Sequence, residues 1–185
     1  MLQTLLELEG NILLWLQENL RNDFGLILFQ IITHFGTGGI FWIALTAVLL
    51  INKKTRRVGS MCTVSIVLTF LVNNLILKNL VARTSPYFII EGLTTVGMRP
   101  SDFSFPSGHT AISFCVACVL FRNLPKKWGS LFLILAVLIA FSRLYLYVHY
   151  PTDVLAGILL GLIVSVAANV ICRLAEPHIR KIIKS

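Results

Sequence analysis

The sequence predicts an all-α integral membrane protein: six transmembrane helices in one bundle, with an N-terminal amphipathic helix at the membrane interface. Three observations carry this. Of 185 residues, 56% are hydrophobic and only 13% charged, whereas soluble domains run near a quarter charged. So few polar groups cannot cover a water-facing surface, and the mean hydropathy is +0.83. The apolar residues fall into six runs separated by turn signals and basic clusters. The net charge of +8 is read as basic loops facing anionic lipid, so the expected partner is a membrane and not nucleic acid. The length fits one domain, and oligomeric state has no signature in it.

Residues 1–22 read as the interfacial helix. Leu2, Leu5, Leu6, Ile12, Leu13, Leu16 and Leu20 recur at helical spacing, and Gln3, Glu7, Asn11, Gln17, Glu18 and Arg21 share the other face. Glu9 is the misfit. No basic segment precedes this helix, so no cleavable signal peptide is expected.

Residues 23–175 read as the membrane domain, with apolar runs at 24–35, 39–52, 58–79, 108–122, 128–149 and 152–173. A spanning helix needs about 20 residues, which the third, fifth and sixth runs supply and the others reach by borrowing flanking residues. Gly36-Thr37-Gly38-Gly39 between the first two runs is a turn signal and predicts a tight hairpin of two spans. Residues 176–185 form a basic tail. Cys62, Cys115, Cys118 and Cys172 all lie inside apolar runs and read as small packing residues. They have no zinc-ligand spacing, so no metal and no cofactor is expected.

Lys53, Lys54, Arg56 and Arg57, then Arg122, Lys126 and Lys127, then Arg173, Arg180, Lys181 and Lys184 lie between or after spans. With six spans these clusters share one side with Arg21, which makes that side and both termini cytoplasmic. Lys78, Arg83, Arg99 and Arg143 fall on the opposite side, together with Ser107, Gly108, His109, His149 and Asp153. Cations, two imidazoles and a carboxylate at one membrane face point to phosphate chemistry. Lys and Arg would hold a polyanion, one imidazole would attack, and the other would protonate the leaving group.

Three strings carry those groups. Phe105-Pro106-Ser107-Gly108-His109 opens the fourth span, where free helix-start N–H groups attract an anion. In Ser142-Arg143 through His149-Tyr150-Pro151-Thr152-Asp153, Pro151 starts the sixth span and leaves His149 at a helix corner. A carboxylate in the next first turn would fix the imidazole tautomer. Lys78 through Arg83-Thr84-Ser85-Pro86-Tyr87 ends the third span.

Pro106-Ser107-Gly108-His109, together with Ser142-Arg143, five residues, His149, three residues and Asp153, resembles the second and third signatures of the type 2 phosphatidic acid phosphatase superfamily, the lipid phosphate phosphatases. The resemblance covers about residues 50–175. It implies His149 as the nucleophile that forms a phosphohistidine, Asp153 as its orienting carboxylate, and His109 as general acid. It also implies Arg143, Ser107, Gly108 and Lys78 as phosphate-binding residues, with no metal. The first signature departs from the family: Lys78 and Pro86 are in place, but Ser85 stands where Arg is expected, with Arg83 two residues earlier. Arg83 and Ser85 are therefore further phosphate-contact candidates, and Arg99 and Asp102 are headgroup candidates.

The expected function is metal-independent dephosphorylation of a lipid phosphate or diphosphate at the extracytoplasmic face of the cell membrane. Undecaprenyl diphosphate is the favoured substrate, with phosphatidylglycerophosphate and phosphatidate as alternatives. A weakly active or inactive lipid-phosphate-binding relative, given Ser85, and an anionic-solute transporter are the competing readings.

Overall fold

The protein was described from a computed structural model, in which residues 2–97 and 102–184 are described. The elements in chain order are α1 (Leu2–Asn19), α2 (Asp23–His34), α3 (Ile40–Ile51), α4 (Arg56–Thr69), a π-helical stretch (Phe70–Leu77), α5 (Lys78–Val81), α6 (Pro86–Ile89), α7 (Gly108–Asn123), α8 (Lys126–Tyr145) and α9 (Pro151–Lys184). Four stretches are long and apolar enough to cross a membrane: Asp23–Ile51, Arg56–Ile89, Lys126–Tyr145 and Pro151–Glu176. Between them stands α7, with 16 residues. It is the hub of the bundle, packed against α3, α4, α8 and α9, and Ala111, Cys115, Val116, Ala117, Val119 and Leu120 on it are fully buried.

Small residues let the helices approach this hub. Gly157 and Gly161, one turn apart on α9, lie against α7. A Cβ on Gly157 would sit 2.8 Å from the Ser107 carbonyl oxygen, and one on Gly161 2.9 Å from that of Ala111. Contact at that range needs backbone-to-backbone packing, the device by which helices associate where lipid removes the hydrophobic drive. Gly161→Leu is therefore expected to lower the melting temperature in detergent sharply, since overpacking costs about 1–3 kcal/mol or more. A thermal scan of the two proteins checks it.

The expected hairpin at residues 36–39 is not formed. Residues 23–51 make one 29-residue candidate span, kinked where Gly38 and Gly39 take left-handed φ of 59° and 68°. Its start lies beside the end of α8, where the Tyr145 hydroxyl donates to the Leu20 carbonyl at 2.8 Å. Its finish lies at the other end, where Arg56 donates to the Leu50 carbonyl. The glycines answer to α7 instead. A Cβ on Gly36 would lie 2.7 Å from His109 Cδ2, and one on Gly39 would collide with Ile112 Cδ1. Among the described residues four candidate spans, with the shorter α7 between them, stand where six spans were expected.

α1 docks where α8 ends and α9 begins: Leu13 and Leu16 bury against Leu93, Tyr147 and Tyr150. Arg21 sits at that same end, donating to Thr94 Oγ1 at 2.5 Å. The far part of α9 lies at the opposite end, where Glu176 pairs with Arg57 at 2.8 Å. The first helix and Glu176 on α9 thus lie at opposite ends of the bundle, whereas the sequence reading put both termini on one side. Leu5, Leu8, Ile12 and Trp15 on α1 remain exposed.

Candidate active site

The corner between α8 and α9 shapes the site. α8 ends at Tyr145, and Tyr147 takes a left-handed φ of 59°. Pro151 then starts α9 with Tyr150 preceding it. Asp153, third in the helix, accepts from the Tyr150 backbone N–H at 2.9 Å through Oδ2. That is the helix-start pattern in which a third-position carboxylate satisfies the capping residue's own N–H. The same oxygen accepts from Ser104 Oγ at 2.5 Å and lies 3.6 Å from His149 Nδ1, and Ser104 Oγ is 3.3 Å from that nitrogen. The Ser104 hydroxyl therefore bridges carboxylate and imidazole. With Nδ1 turned to this pair, Nε2 is the ring nitrogen left for chemistry. Burial pushes the His149 imidazole below its ordinary pKa, and Asp153 partly opposes that.

His149 lines a cavity of about 310 Å³ with Lys78, Asp102, Gly108, His109 and Arg143. Arg143, on the last turn of α8, is 4% exposed. It donates to Thr33 Oγ1 at 2.6 Å, and its Nε has no partner. Among the described residues it has no ion pair. A buried guanidinium with an unused donor is a costly arrangement that an anion would relieve. Lys78 is buried and paired with Asp102. It directly follows the π-helical stretch, a feature that often marks functional positions in helices. Asn74, on that stretch, also lines the cavity and accepts from buried Asn73 at 2.8 Å. His109 lies in the first turn of α7, with Nε2 3.4 Å from Thr37 Oγ1. The first-turn N–H groups of α7 have no intrahelical acceptor.

Lys78, Gly108, His109, Arg143 and His149 thus share one cavity, and Asp153 stands directly behind His149. Ser107 does not line it. Fully buried, it donates its N–H to the Asp153 carbonyl at 3.0 Å and accepts from Thr110 at 3.0 Å. Ser85 and Arg83 line a neighbouring cavity of about 460 Å³ that shares Asn74, Lys78 and Asp102 with the first. Arg83 is turned to carboxylates: its Nη1 donates to Asp153 Oδ1 at 2.8 Å and its Nη2 to Glu9 Oε2 at 2.6 Å. Asp102 meets Lys78, and Arg99 lies outside the described residues. Sequence reasoning missed Ser104, Asn74, Thr33 and Thr37, which carry no distinguishing signal, and Glu9, whose place on an apolar face was one.

A helical membrane bundle with two imidazoles, a guanidinium and an ammonium around one cavity is an architecture suited to an anion and to proton transfer beside it. The model of the PAP2 superfamily matches residues 57–174, and the chain belongs to that superfamily. It is 38% identical over 120 residues to an undecaprenyl-diphosphatase of Sulfolobus acidocaldarius, covering 65% of this chain and 58% of that protein. It is 33% identical over 138 residues to a lipid A 4'-phosphatase of Bacteroides thetaiotaomicron, covering 68% and 61%. The chain therefore spans about three-fifths of the length of these curated relatives. Among solved structures, Aquifex aeolicus LpxE superposes with a TM-score of 0.74 at 27% identity, covering 88% of this chain and 93% of that one.

Proposed function

We propose that the protein hydrolyses a membrane lipid phosphate or diphosphate through a phosphohistidine on His149, with undecaprenyl diphosphate the favoured substrate. The observation that carries this is the buried Arg143 guanidinium, with its Nε unpartnered and no ion pair among the described residues, on the cavity where His109 and His149 meet. The undecaprenyl-diphosphatase relative supports the choice of lipid.

In the first step the Nε2 lone pair of His149 attacks phosphorus, and the bond to the lipid oxygen breaks as His109 gives that oxygen a proton. In the second step water attacks the phosphohistidine, His109 takes its proton, the P–N bond breaks and inorganic phosphate leaves. Arg143, Lys78 and the α7 helix start hold the equatorial oxygens. The phosphate displaces Asp102 from Lys78. Ser107 acts from behind, tying the start of α7 to Asp153. The basic residues of the α3–α4 and α7–α8 connections support a cytoplasmic far face by the positive-inside rule. The site and α1 then face outward, with the exposed leucines of α1 in the interface.

Phosphate release by the purified protein in detergent, with EDTA present, tests the reading. Undecaprenyl diphosphate, phosphatidylglycerophosphate, phosphatidate and lipid A are offered separately. Release from at least one is expected, and silence with all four overturns it.

Two further results are expected. Because burial lowers the His149 pKa, the attacking neutral ring persists below the ordinary histidine value of about 6.5. The acid limb of kcat/KM should therefore lie below that pH, and a limb above it contradicts the assignment. Ser85 leaves space beside Lys78, and Arg83 is already committed to Glu9 and Asp153. Ser85→Arg is thus expected to raise kcat/KM about ten- to a hundred-fold, the return of about 1.4–2.8 kcal/mol in the transition state. Steady-state kinetics of the variant against the parent protein check this.

A further inference from the structure

We infer that Glu9, on the first helix, is a positioning residue of the catalytic corner: its carboxylate holds the Arg83 fork against Asp153 and restores net negative charge behind His149. The inference rests on the reading of His149 and Asp153 given above.

Glu9 is 2% exposed, and a carboxylate is almost never so buried without partners. Each of its oxygens is used. Oε1 accepts from the Thr152 backbone N–H at 2.8 Å and from Thr152 Oγ1 at 2.7 Å. That N–H belongs to the first turn of α9, where no intrahelical acceptor exists and where the helix dipole favours an anion. Oε2 accepts from Arg83 Nη2 at 2.6 Å. The other arm of the same guanidinium reaches Asp153 Oδ1 and Thr152 Oγ1, both at 2.8 Å. The Tyr150 ring lies under it, 3.7 Å from Cζ. One planar fork is thus shared by two carboxylates that come from opposite ends of the chain.

The charge count explains why two are needed. Arg83 alone would cancel Asp153, leaving His149 beside a neutral pair while Arg143 and Lys78 face it across the cavity. Glu9 returns the group to a net charge of −1. That negative charge favours the positive imidazole that forms when His149 takes phosphorus. Glu9 lines neither cavity around Lys78, so substrate binding does not depend on it. The remaining titratable groups facing His149 are His109 on α7, Asp102 opposite it and Tyr150 beside it; burial, helped by the Glu9 charge, holds the Tyr150 phenol above its ordinary value, a titration far above the acid limb.

The experiment is the pH dependence of kcat and KM for the full chain in detergent, with a lipid phosphate that the parent protein turns over. The variants are Glu9→Gln, Arg83→Gln, the double variant and His149→Ala. Glu9→Gln is expected to lower kcat about ten- to a hundred-fold with KM within about threefold. It should also move the acid limb of kcat/KM down by about half a pH unit or more, because an imidazolium is then less favoured. Arg83→Gln should move that limb up. The double variant, with its net charge of −1 restored, should return it toward the parent value. Damage to packing alone would not produce shifts of opposite sign that cancel. If Glu9→Gln is too unstable to assay, Glu9→Asp and the upward shift in Arg83→Gln carry the test. Unmoved limbs in both single variants, with His149→Ala inactive, overturn the role of Glu9 and leave the nucleophile standing. Activity retained in His149→Ala overturns the underlying reading itself.

Discussion

His149→Ala is expected to reduce turnover by about four orders of magnitude or more, because the variant has no atom to attack phosphorus. Arg143, Lys78 and the α7 helix start remain, so the protein should still bind lipid phosphate with KM or Kd close to the parent value. The imidazole is 3% exposed and its removal leaves a small void. A loss of about 1–3 kcal/mol in stability is expected, too little to unfold the bundle. Kinetics and a thermal scan on the same preparation separate loss of chemistry from loss of fold. Residual activity of a few per cent with an unchanged melting temperature contradicts the nucleophile assignment.

Asp153→Asn is expected to lower kcat by about 10²- to 10⁴-fold. Asp153 is fully buried and acts only as an acceptor. It takes bonds from Arg83, Ser104 and the Tyr150 N–H and stands beside His149 Nδ1. An asparagine can present one oxygen to these donors, and its NH₂ must then face another donor. Either His149 loses its tautomer-fixing partner or Arg83 loses its counter-charge. Because the change also orphans part of a buried ion network, a stability loss of about 3–5 kcal/mol accompanies it. The diagnostic feature is a fall in kcat much larger than any rise in KM. Equal losses in His149→Ala and in the double variant would show that the two residues act as one unit.

Much of the candidate site was legible because its residues sit at helix starts and ends, where sequence signals are strong. Pro151 fixes the start of α9, which puts Asp153 third in the helix and His149 at the corner. Pro106 through His109 opens α7 in the same way. The hairpin expected at 36–39 did not form, for a physical reason. Glycines at 36–39 signal a backbone free to take positive φ, which suits a reversal and a kink alike. What distinguishes them is the close passage of His109 and Ile112, a contact between segments about 75 residues apart, and no local pattern encodes it. Glu9 shows the converse. Its place on the apolar side of α1 was visible as an inconsistency, but its meaning depended on Arg83 and Thr152, which only the folded chain brings to it. Ser85 was legible as a departure from the family pattern. That Arg83 is spent on Glu9 and Asp153, rather than turned into the vacancy, was not.

The most direct test of the account is to trap the intermediate. The full-length protein in detergent is mixed with a lipid phosphate carrying ³²P in the group to be transferred, quenched within the first turnover, and freed of lipid. Label on the protein that is stable to alkali, released by acid, and absent from His149→Ala is the expected result. Rapid phosphate release from the same substrate with no protein-bound label at any quench time, or label that persists in His149→Ala, would contradict it.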